Sequence, residues 1–589
     1  MSDLINSATV RLREVIMDAL GTLVAEQKIP AEPLPPFNIE IPADKSHGDL
    51  AANTAMVCAK ALRMPPRKIA ELICENLSLE GTIFDRAEVA GPGFLNFFLS
   101  RKWFSEVVKN VLDEGGDYGK TETGKGKRVL VEFVSANPTG PMHIGNARGG
   151  AIGDCLASVL QWAGYHAERE FYVNDAGNQI EKFGKSLELR YLQLCSEKGQ
   201  ELIAEYKDDT DKLCSVIYEG SGEGGDFQMP EDVYLGTDII EHAKNFYDIN
   251  GKAMETVSET ECRKALVDYA LPLNIAGLER DLKKYRIVYD NWFRESTVHS
   301  KNETKLVVDK LMEAGKDYEQ DGAIWFRATD YGMDKDFVLR RSNGLYTYIV
   351  PDIAYHYDKL VTRNFDKAIN VLGADHHGYV PRLKAALNAL GVDETKLDVV
   401  LMQMVRLVRN GETVKLSKRS GKAITLVTLL DEIPIDAARF FFNLREANSQ
   451  FEFDLGLAIE KTSQNPVYYV QYAHARICSM LRALAEEGIS VPESADLDLL
   501  TDPREIELIR HLASLPGEID AAARTYDPAK ITKYAIDLAT LFHRFYDGCS
   551  VKNAGSEELM KARILLCVAV RQTLRNALEI LNIDRPEKM

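Results

Sequence analysis

Two short pairs of residues in this 589-residue chain have the types and spacing to handle phosphate. The first is His143 and Asn146, three apart in "NPTGPMHIGNARGG", where a turn shaped by Pro138, Gly140 and Pro141 opens onto a glycine-rich helical pattern. A helix start presents unpaired backbone N–H groups and the positive end of its dipole, so two side chains three apart there can converge on one bound group. The second pair is Lys415 and Lys418 in "VRLVRNGETVKLSKRSGKAITL". Asn410-Gly411 between two β-rich runs is a hairpin signal, and the lysines follow it, with Arg419, in a Ser/Gly-bearing loop. Beside a nucleotide, a cationic loop can neutralise the charge that builds on pyrophosphate as it leaves an α-phosphorus. Each pair also has a plain alternative: His143 as a helix cap without a ligand, and the lysines as a solvated surface cluster.

Such residues need a frame. The strand "VLVEFV" precedes the turn, a helix with apolar Ile152, Leu156, Val159 and Leu160 follows it, and "EREFYVND" reads as a second strand. Strand, helix and strand at this spacing make a βαβ unit with a right-handed crossover. A second unit is expected at "KAINVLGADHHGYVPRLKAALNALGV" followed by the strand "LDVVLMQMVRL". The fold class is therefore α/β, a Rossmann-type doubly wound parallel sheet, whose ligand crevice lies outside the C-terminal ends of the strands.

Around this frame the organisation is tripartite. Residues 1–115 read as an N-terminal α+β domain containing "AEVAGPGFLNFFLS", and the polar "DEGGDYGKTETGKGKR" after it reads as a linker. Residues 116–464 read as the central nucleotide-binding domain, with an insertion at about 185–345. Within it "EGSGEGGDF" is glycine-rich, but Glu219, Glu223 and Asp226 would repel phosphate, so a surface loop is expected. Residues 465–589 read as an α-helical bundle, with Arg or His opposite the apolar stripe in "YYVQYAHARICSMLRALA" and "KARILLCVAVRQTLRNALEIL".

Composition narrows the class further. A formal net charge of -18 argues against general adhesion to nucleic acid or anionic membrane, leaving room for a local basic surface. No apolar run is long enough to span a bilayer, and the N-terminus reads as an amphipathic helix rather than a leader, so a cytoplasmic protein is expected. Nine cysteines without a C-x-x-C pair do not suggest a disulfide framework. His376 and His377 are adjacent and no other ligand spacing supports them, so no protein-built metal site is expected.

Taken together, "HIGN" after the first strand and "KLSKR" after the second half of the sheet resemble the HIGH and KMSKS motifs of class I aminoacyl-tRNA synthetases. The phrases "SANPTGPMHIGNARGG", "NDAGNQI", "GADHHGYVPR", "DEIPIDAARFFF" and "RPEKM" extend the resemblance over nearly the whole length, to the arginyl-tRNA synthetase family. Two departures stand out: Asn146 replaces the last histidine of HIGH, and Leu416 and Arg419 replace Met and Ser of KMSKS.

The resemblance implies that L-arginine and ATP, with Mg²⁺, give arginyl-adenylate and pyrophosphate, after which the terminal ribose of the tRNA for arginine accepts the arginyl group. It implies His143, Lys415 and Lys418 as catalytic groups. These three, with Gly145, Asn146, Gly373 and Asp375, would bind ATP. Glu132, Ser135, Asn137, Glu295, Tyr348, Asp352 and His376 would bind arginine. The family also implies that tRNA must be bound before arginine is activated, that the N-terminal domain touches the tRNA elbow and the C-terminal domain the anticodon side, and the expected state is a monomer. A guanidinium needs acids, yet Asp352 could equally cap the helix "IAYHYDKL" and Glu295 could be an exposed helix charge. Two other readings compete: a non-catalytic RNA-binding protein, which need not retain His143 and the lysines, and a nucleotidyltransferase, which leaves the terminal domains unexplained.

Overall fold

The computed structural model describes residues 3–218, 227–409, 411–414 and 425–589. The "EGSGEGGDF" loop thus lies largely outside the described residues, as do Asn410 and the loop with Lys415, Leu416, Lys418 and Arg419. The chain divides into two compact units, Glu122–Asn465 with Tyr526–Ala529, and Met1–Thr121 with Pro466–Thr525 and Lys530–Met589.

The first unit is built on five strands: β1 (Arg128–Phe133), β2 (His166–Val173), β3 (Asn291–Arg294), β4 (Lys367–Gly373) and β5 (Leu397–Met402), in the order β5-β4-β1-β2-β3 with every pair parallel. The order reverses between β1 and β4, which makes their C-terminal ends the switch point where such sheets bind ligands. Central β1 is buried at five consecutive positions, Val129 to Phe133, because both faces of a parallel sheet are covered. Helix α1 (Ile144–Trp162) crosses from β1 to β2 and lies very close to the sheet: a Cβ on Gly153 would fall 2.2 Å from Phe133 Cγ. Three further helices matter for the site: α2 (Glu295–Ser300), α3 (Ile349–Tyr357), which runs into a π turn over Asp358–Thr362, and α4 (Val380–Ala389).

The run "LDVVLMQMVRL", expected as one strand, is two. Leu397–Met402 stays in the main sheet, while Val405–Arg409 joins a separate three-stranded sheet with Glu412–Thr413 and Phe451–Asp454. Val408↔Thr413 and Arg409↔Glu412 pair antiparallel.

In the second unit a four-stranded antiparallel sheet (Ile39–Glu40, Leu50–Ala52, Phe94–Leu99, Phe84–Ala90) shares a core with the helix Leu4–Ala25, which buries Leu12, Ile16, Leu20 and Leu23 on one face. The C-terminal helices include Pro466–Glu486, Pro503–Ala513 and Glu557–Ile580. Tyr118, inside the stretch that reads as a linker, is buried with its hydroxyl on Leu512 O at 2.7 Å, and Asn576 donates to Gly115 O and Tyr118 O at 2.9 Å each. One polar assignment also differs from expectation. His474 is buried rather than opposite the apolar face, because its Nδ1 bonds Pro586 O at 3.0 Å. Among the described residues no helix is long and apolar enough to cross a membrane.

Candidate active site

The chain leaving β1 turns sharply. Ser135 N–H bonds Phe133 O at 3.0 Å across Val134, and Val134 and Ser135 have φ of +68° and +40°. Left-handed backbone at a β-branched residue is costly and tends to persist where surrounding structure over-determines it. The loop ends at His143, the N-cap of α1. Asn146 Oδ1 accepts the His143 backbone N–H at 3.2 Å, and Asn146 N–H bonds His143 O at 2.9 Å. The amide oxygen of Asn146 is thereby engaged in the helix head, which leaves its NH₂ as a donor. A Cβ on Gly145 would meet nothing within 4 Å, so packing within the protein does not explain the glycine.

Helix α1 is held by a residue that sequence reasoning missed. Arg148 is fully buried and donates to the carbonyls of Gln403 (2.7 Å), Glu446 (3.0 Å) and Ser449 (3.2 Å), and burial pushes its guanidinium down to about 10. It fastens the head of α1 to Gln403, just beyond β5, and to the turn before the strand Phe451–Asp454. The lysine-bearing loop re-enters the described chain here as well. Thr425 forms an isolated bridge with His143, and Leu426 N–H bonds Met142 O at 2.9 Å. On the other side Val414 N–H bonds Leu407 O at 3.0 Å.

A row of polar side chains crosses four strands in register: Asn370 on β4 beside Glu132 on β1, Glu132 beside Glu170 on β2, and Glu170 beside Asn291 on β3. Buried polar groups must find partners, and α3 with its π turn supplies most of them. Lys359, with no exposed surface, places Nζ 2.5 Å from Glu132 Oε2 and 3.3 Å from Asn370 Oδ1. Tyr355 donates to Glu170 Oε1 at 2.7 Å and Arg363 grips Glu170 in a two-pronged bond at 2.5 and 2.9 Å. His356 bonds Asp352 O through Nδ1 (2.8 Å) and Asn370 Nδ2 through Nε2 (2.7 Å); burial pushes it well below its ordinary pKa, so it is a neutral Nδ1–H tautomer that accepts at Nε2.

The expected acids gather beside this row. Ser135 Oγ donates to Glu132 Oε1 at 2.9 Å and accepts Tyr172 N–H at 3.1 Å. Glu295 is 9% exposed, so it is no solvated helix charge; its partners include Tyr172, His299 at 3.5 Å, and Asn174, which donates at 3.0 Å when its amide is oriented to face the carboxylate. Burial raises the Glu295 carboxyl above its ordinary range, and Asp175 adds to this. Asp352 lies inside α3, whose N-cap is Tyr348, so it does not cap that helix. Its carboxylate accepts the Tyr379 hydroxyl. Burial, with Glu132 and Glu295 adding repulsion, pushes it up to about 7 against the lowering effects of Tyr379 and Lys359. Tyr172 feels all three acids, which marks the common space they face.

The remaining residues lie around these groups. Tyr348 is 68% exposed and its ring stacks on Tyr379 at 6.1 Å, while His376 meets Tyr379 edge-on at 6.4 Å. Gly373 ends β4, Asp375 and His376 follow it in an exposed turn, and Asn137 is exposed in the loop after β1. The structure thus brings Glu132, Ser135, Glu295 and Asp352 together, with Tyr348 and His376 joined to them through Tyr379, and sets His143, Gly145 and Asn146 at the head of α1. Tyr379, Tyr172 and Lys359 escaped the sequence reading; for Tyr379 the available signal was its place in "GADHHGYVPR".

Comparison with known proteins agrees with this frame. Residues 107–477 match the model of the catalytic domain of class I tRNA synthetases (R), which sets the class. Residues 11–99 match the arginyl tRNA synthetase N-terminal domain and residues 470–589 the DALR anticodon binding domain. An "Arginine--tRNA ligase" of Caldanaerobacter subterraneus subsp. tengcongensis is 50% identical over 100% of both chains, and one of Acetivibrio thermocellus is 47% identical over the same share. The chain belongs to the arginyl-tRNA synthetase family. The solved Thermus thermophilus arginyl-tRNA synthetase shares its fold, with a TM-score of 0.71 and 20% identity across 99% of this chain and 100% of that one.

Proposed function

We infer that this enzyme joins L-arginine to its cognate tRNA at the expense of ATP, through an arginyl-adenylate. The observation that carries this reading is the cluster of Glu132, Glu295 and Asp352 beside the sheet's switch point, in a chain whose full length matches arginine--tRNA ligases. Carboxylates withdrawn from water that repel a neighbouring acid are relieved by a cation, and the planar five-donor guanidinium suits several acids at once.

Glu132, Ser135, Asn137, Glu295, Tyr348, Asp352 and His376 are assigned to arginine. ATP enters as its Mg²⁺ complex along the head of α1, where His143, Gly145 and Asn146 meet it, with Gly373 and Asp375 across the switch point. The arginine carboxylate attacks the α-phosphorus, the bond to the β-phosphate breaks, and pyrophosphate leaves. No protein nucleophile takes part. His143 and the cations Lys415 and Lys418 stabilise the charge that develops, and positioning supplies the rest. The terminal ribose hydroxyl of tRNA then displaces AMP. The regions 1–115 and 465–589 are assigned to the tRNA elbow and anticodon side, flanking a catalytic region 116–464. The working form is taken as a cytoplasmic monomer.

The test is arginine-dependent pyrophosphate exchange with and without tRNA. Exchange that needs the tRNA for arginine is expected. No exchange under either condition would remove the activity, and equal exchange without tRNA would remove the requirement for it.

A further inference from the structure

We propose that Lys359 is a positioning residue for arginine: an internal counter-cation that sets the charge of the acidic pocket to match the two cationic groups of the amino acid. The proposal rests on the acidic pocket being the arginine site. Glu132 and Glu295 both act on Asp352, and all three carboxylates act on Tyr172. The substrate brings a guanidinium and an α-ammonium, while its carboxylate must stay free to react. Two positive charges cannot balance three negative ones.

Lys359 supplies the difference from within the protein. It has no exposed surface, sits in the π turn that ends α3, and holds Glu132 Oε2 at 2.5 Å with Asn370 Oδ1 at 3.3 Å and its ammonium 3.9 Å from the centre of the Tyr355 ring. One ammonium against three carboxylates leaves a net charge of minus two, equal and opposite to the cationic groups of arginine. A π turn in a helix often marks a functional position, since it inserts a residue that ordinary helical geometry would place elsewhere. The neighbouring acids have partners of their own: Glu170 takes the Tyr355 hydroxyl and shares Arg363 with Asp358, Asp175 lies 3.7 Å from Arg294, and Glu295 also meets His299. The groups facing the pocket are Glu132 from β1, Tyr172 from β2, Asp175 just after β2, Glu295 with His299 from α2, Asp352 from α3, Lys359 from the π turn and Tyr379 beside α4, with neutral His356 behind Asn370.

The balance is read from the pH midpoint of kcat/KM for arginine in tRNA-dependent pyrophosphate exchange. Lys359→Met should move the midpoint up by about one pH unit, since an uncompensated carboxylate makes ionising the others harder. Glu132→Gln should move it down by about as much, because Lys359 then acts unopposed. The double variant Lys359→Met, Glu132→Gln restores the net charge without the contact, and its midpoint should return to that of the parent enzyme. A purely structural lysine would lower thermal stability and leave the midpoints in place. Should Lys359→Met not fold, Glu132→Gln and the double variant decide: a midpoint that does not fall in the first, or stays displaced in the second, overturns the proposal. Asp352→Asn separates the two levels. If that variant leaves the arginine KM unchanged, the pocket assignment itself fails; if it raises KM while the other midpoints stay fixed, only the role of Lys359 fails.

Discussion

The Tyr379 hydroxyl donates to Asp352 Oδ2 and so ties the start of α4 to α3 at the acidic pocket. A donor to a carboxylate favours its charged form, whereas burial and the nearby acids oppose it, and the balance leaves Asp352 at about 7. A bound guanidinium favours the ionised form. Arginine binding below that pH must therefore release a proton, and KM for arginine should fall as pH rises to about 7 and flatten above it. Tyr379→Phe removes one stabiliser of the charged form, so the midpoint should rise by about 0.5–1 unit, the equivalent of one hydrogen bond. The check is the pH profile of kcat/KM for arginine in both proteins; superimposable profiles would separate Tyr379 from the titration.

The same raised carboxyl has a cost in the free enzyme. Between the unfolded carboxylate pKa and the folded value of about 7 the native state holds more protons than the unfolded one, so stability falls as pH rises through that window and stays reduced above it. Asp352→Asn should therefore make the arginine-free protein more stable at pH 8, by about 2 kcal/mol once water access to a half-buried group is allowed for, and change little near pH 4. The same variant should raise the arginine KM more than tenfold, an order-of-magnitude figure for losing a charged partner, with a smaller effect on that for ATP. Denaturant melts at both pH values and steady-state aminoacylation across arginine concentrations test the two halves.

What the sequence made legible was the local part of this arrangement. The β1-turn-α1 unit is recognisable because it depends on its own neighbours, whereas the acids Glu132, Glu295 and Asp352 stand out through the family resemblance; by local pattern alone Glu295 reads as an exposed helix charge and Asp352 as a cap. The row from Asn370 through Glu132 and Glu170 to Asn291 depends on the lateral register of four strands that lie far apart in the chain, and no local pattern encodes it. Lys359 in "AYHYDKLVTRN" has the look of a solvated helix charge; it is buried because the π turn and that row meet it. Arg148 reads as a surface residue for the same reason, since its acceptors are backbone carbonyls beyond β5.

Asn146 offers a pair of substitutions with opposite consequences. Its oxygen accepts the His143 N–H, and its NH₂ is the group assigned to ATP. Asn146→Asp keeps an acceptor for the helix head but replaces the donor with a negative charge beside triphosphate. Stability should stay near that of the parent while adenylate formation slows by about 1.5–3 kcal/mol. Asn146→Ala should lose about 0.5–1.5 kcal/mol of stability and slow the reaction less. Equal rates for the two variants in pyrophosphate exchange would show that the side chain does not meet the phosphates.

Lys418 lies outside the described residues, and its role is part of the proposed mechanism. Val414 is bonded to Leu407, and beyond ten intervening residues Thr425 bridges to His143 while Leu426 bonds Met142 at the head of α1. In that mechanism the lysine meets the charge that develops on pyrophosphate as it departs, an interaction stronger in the transition state than in the bound ground state. Lys418→Ala should accordingly slow adenylate formation by about 2–4 kcal/mol and change arginine binding little. A variant that loses only binding would instead raise the ATP KM with kcat intact. Single-turnover formation of arginyl-adenylate, alongside the KM values for both substrates, distinguishes these outcomes; a rate within threefold of the parent would take this lysine out of the chemical step.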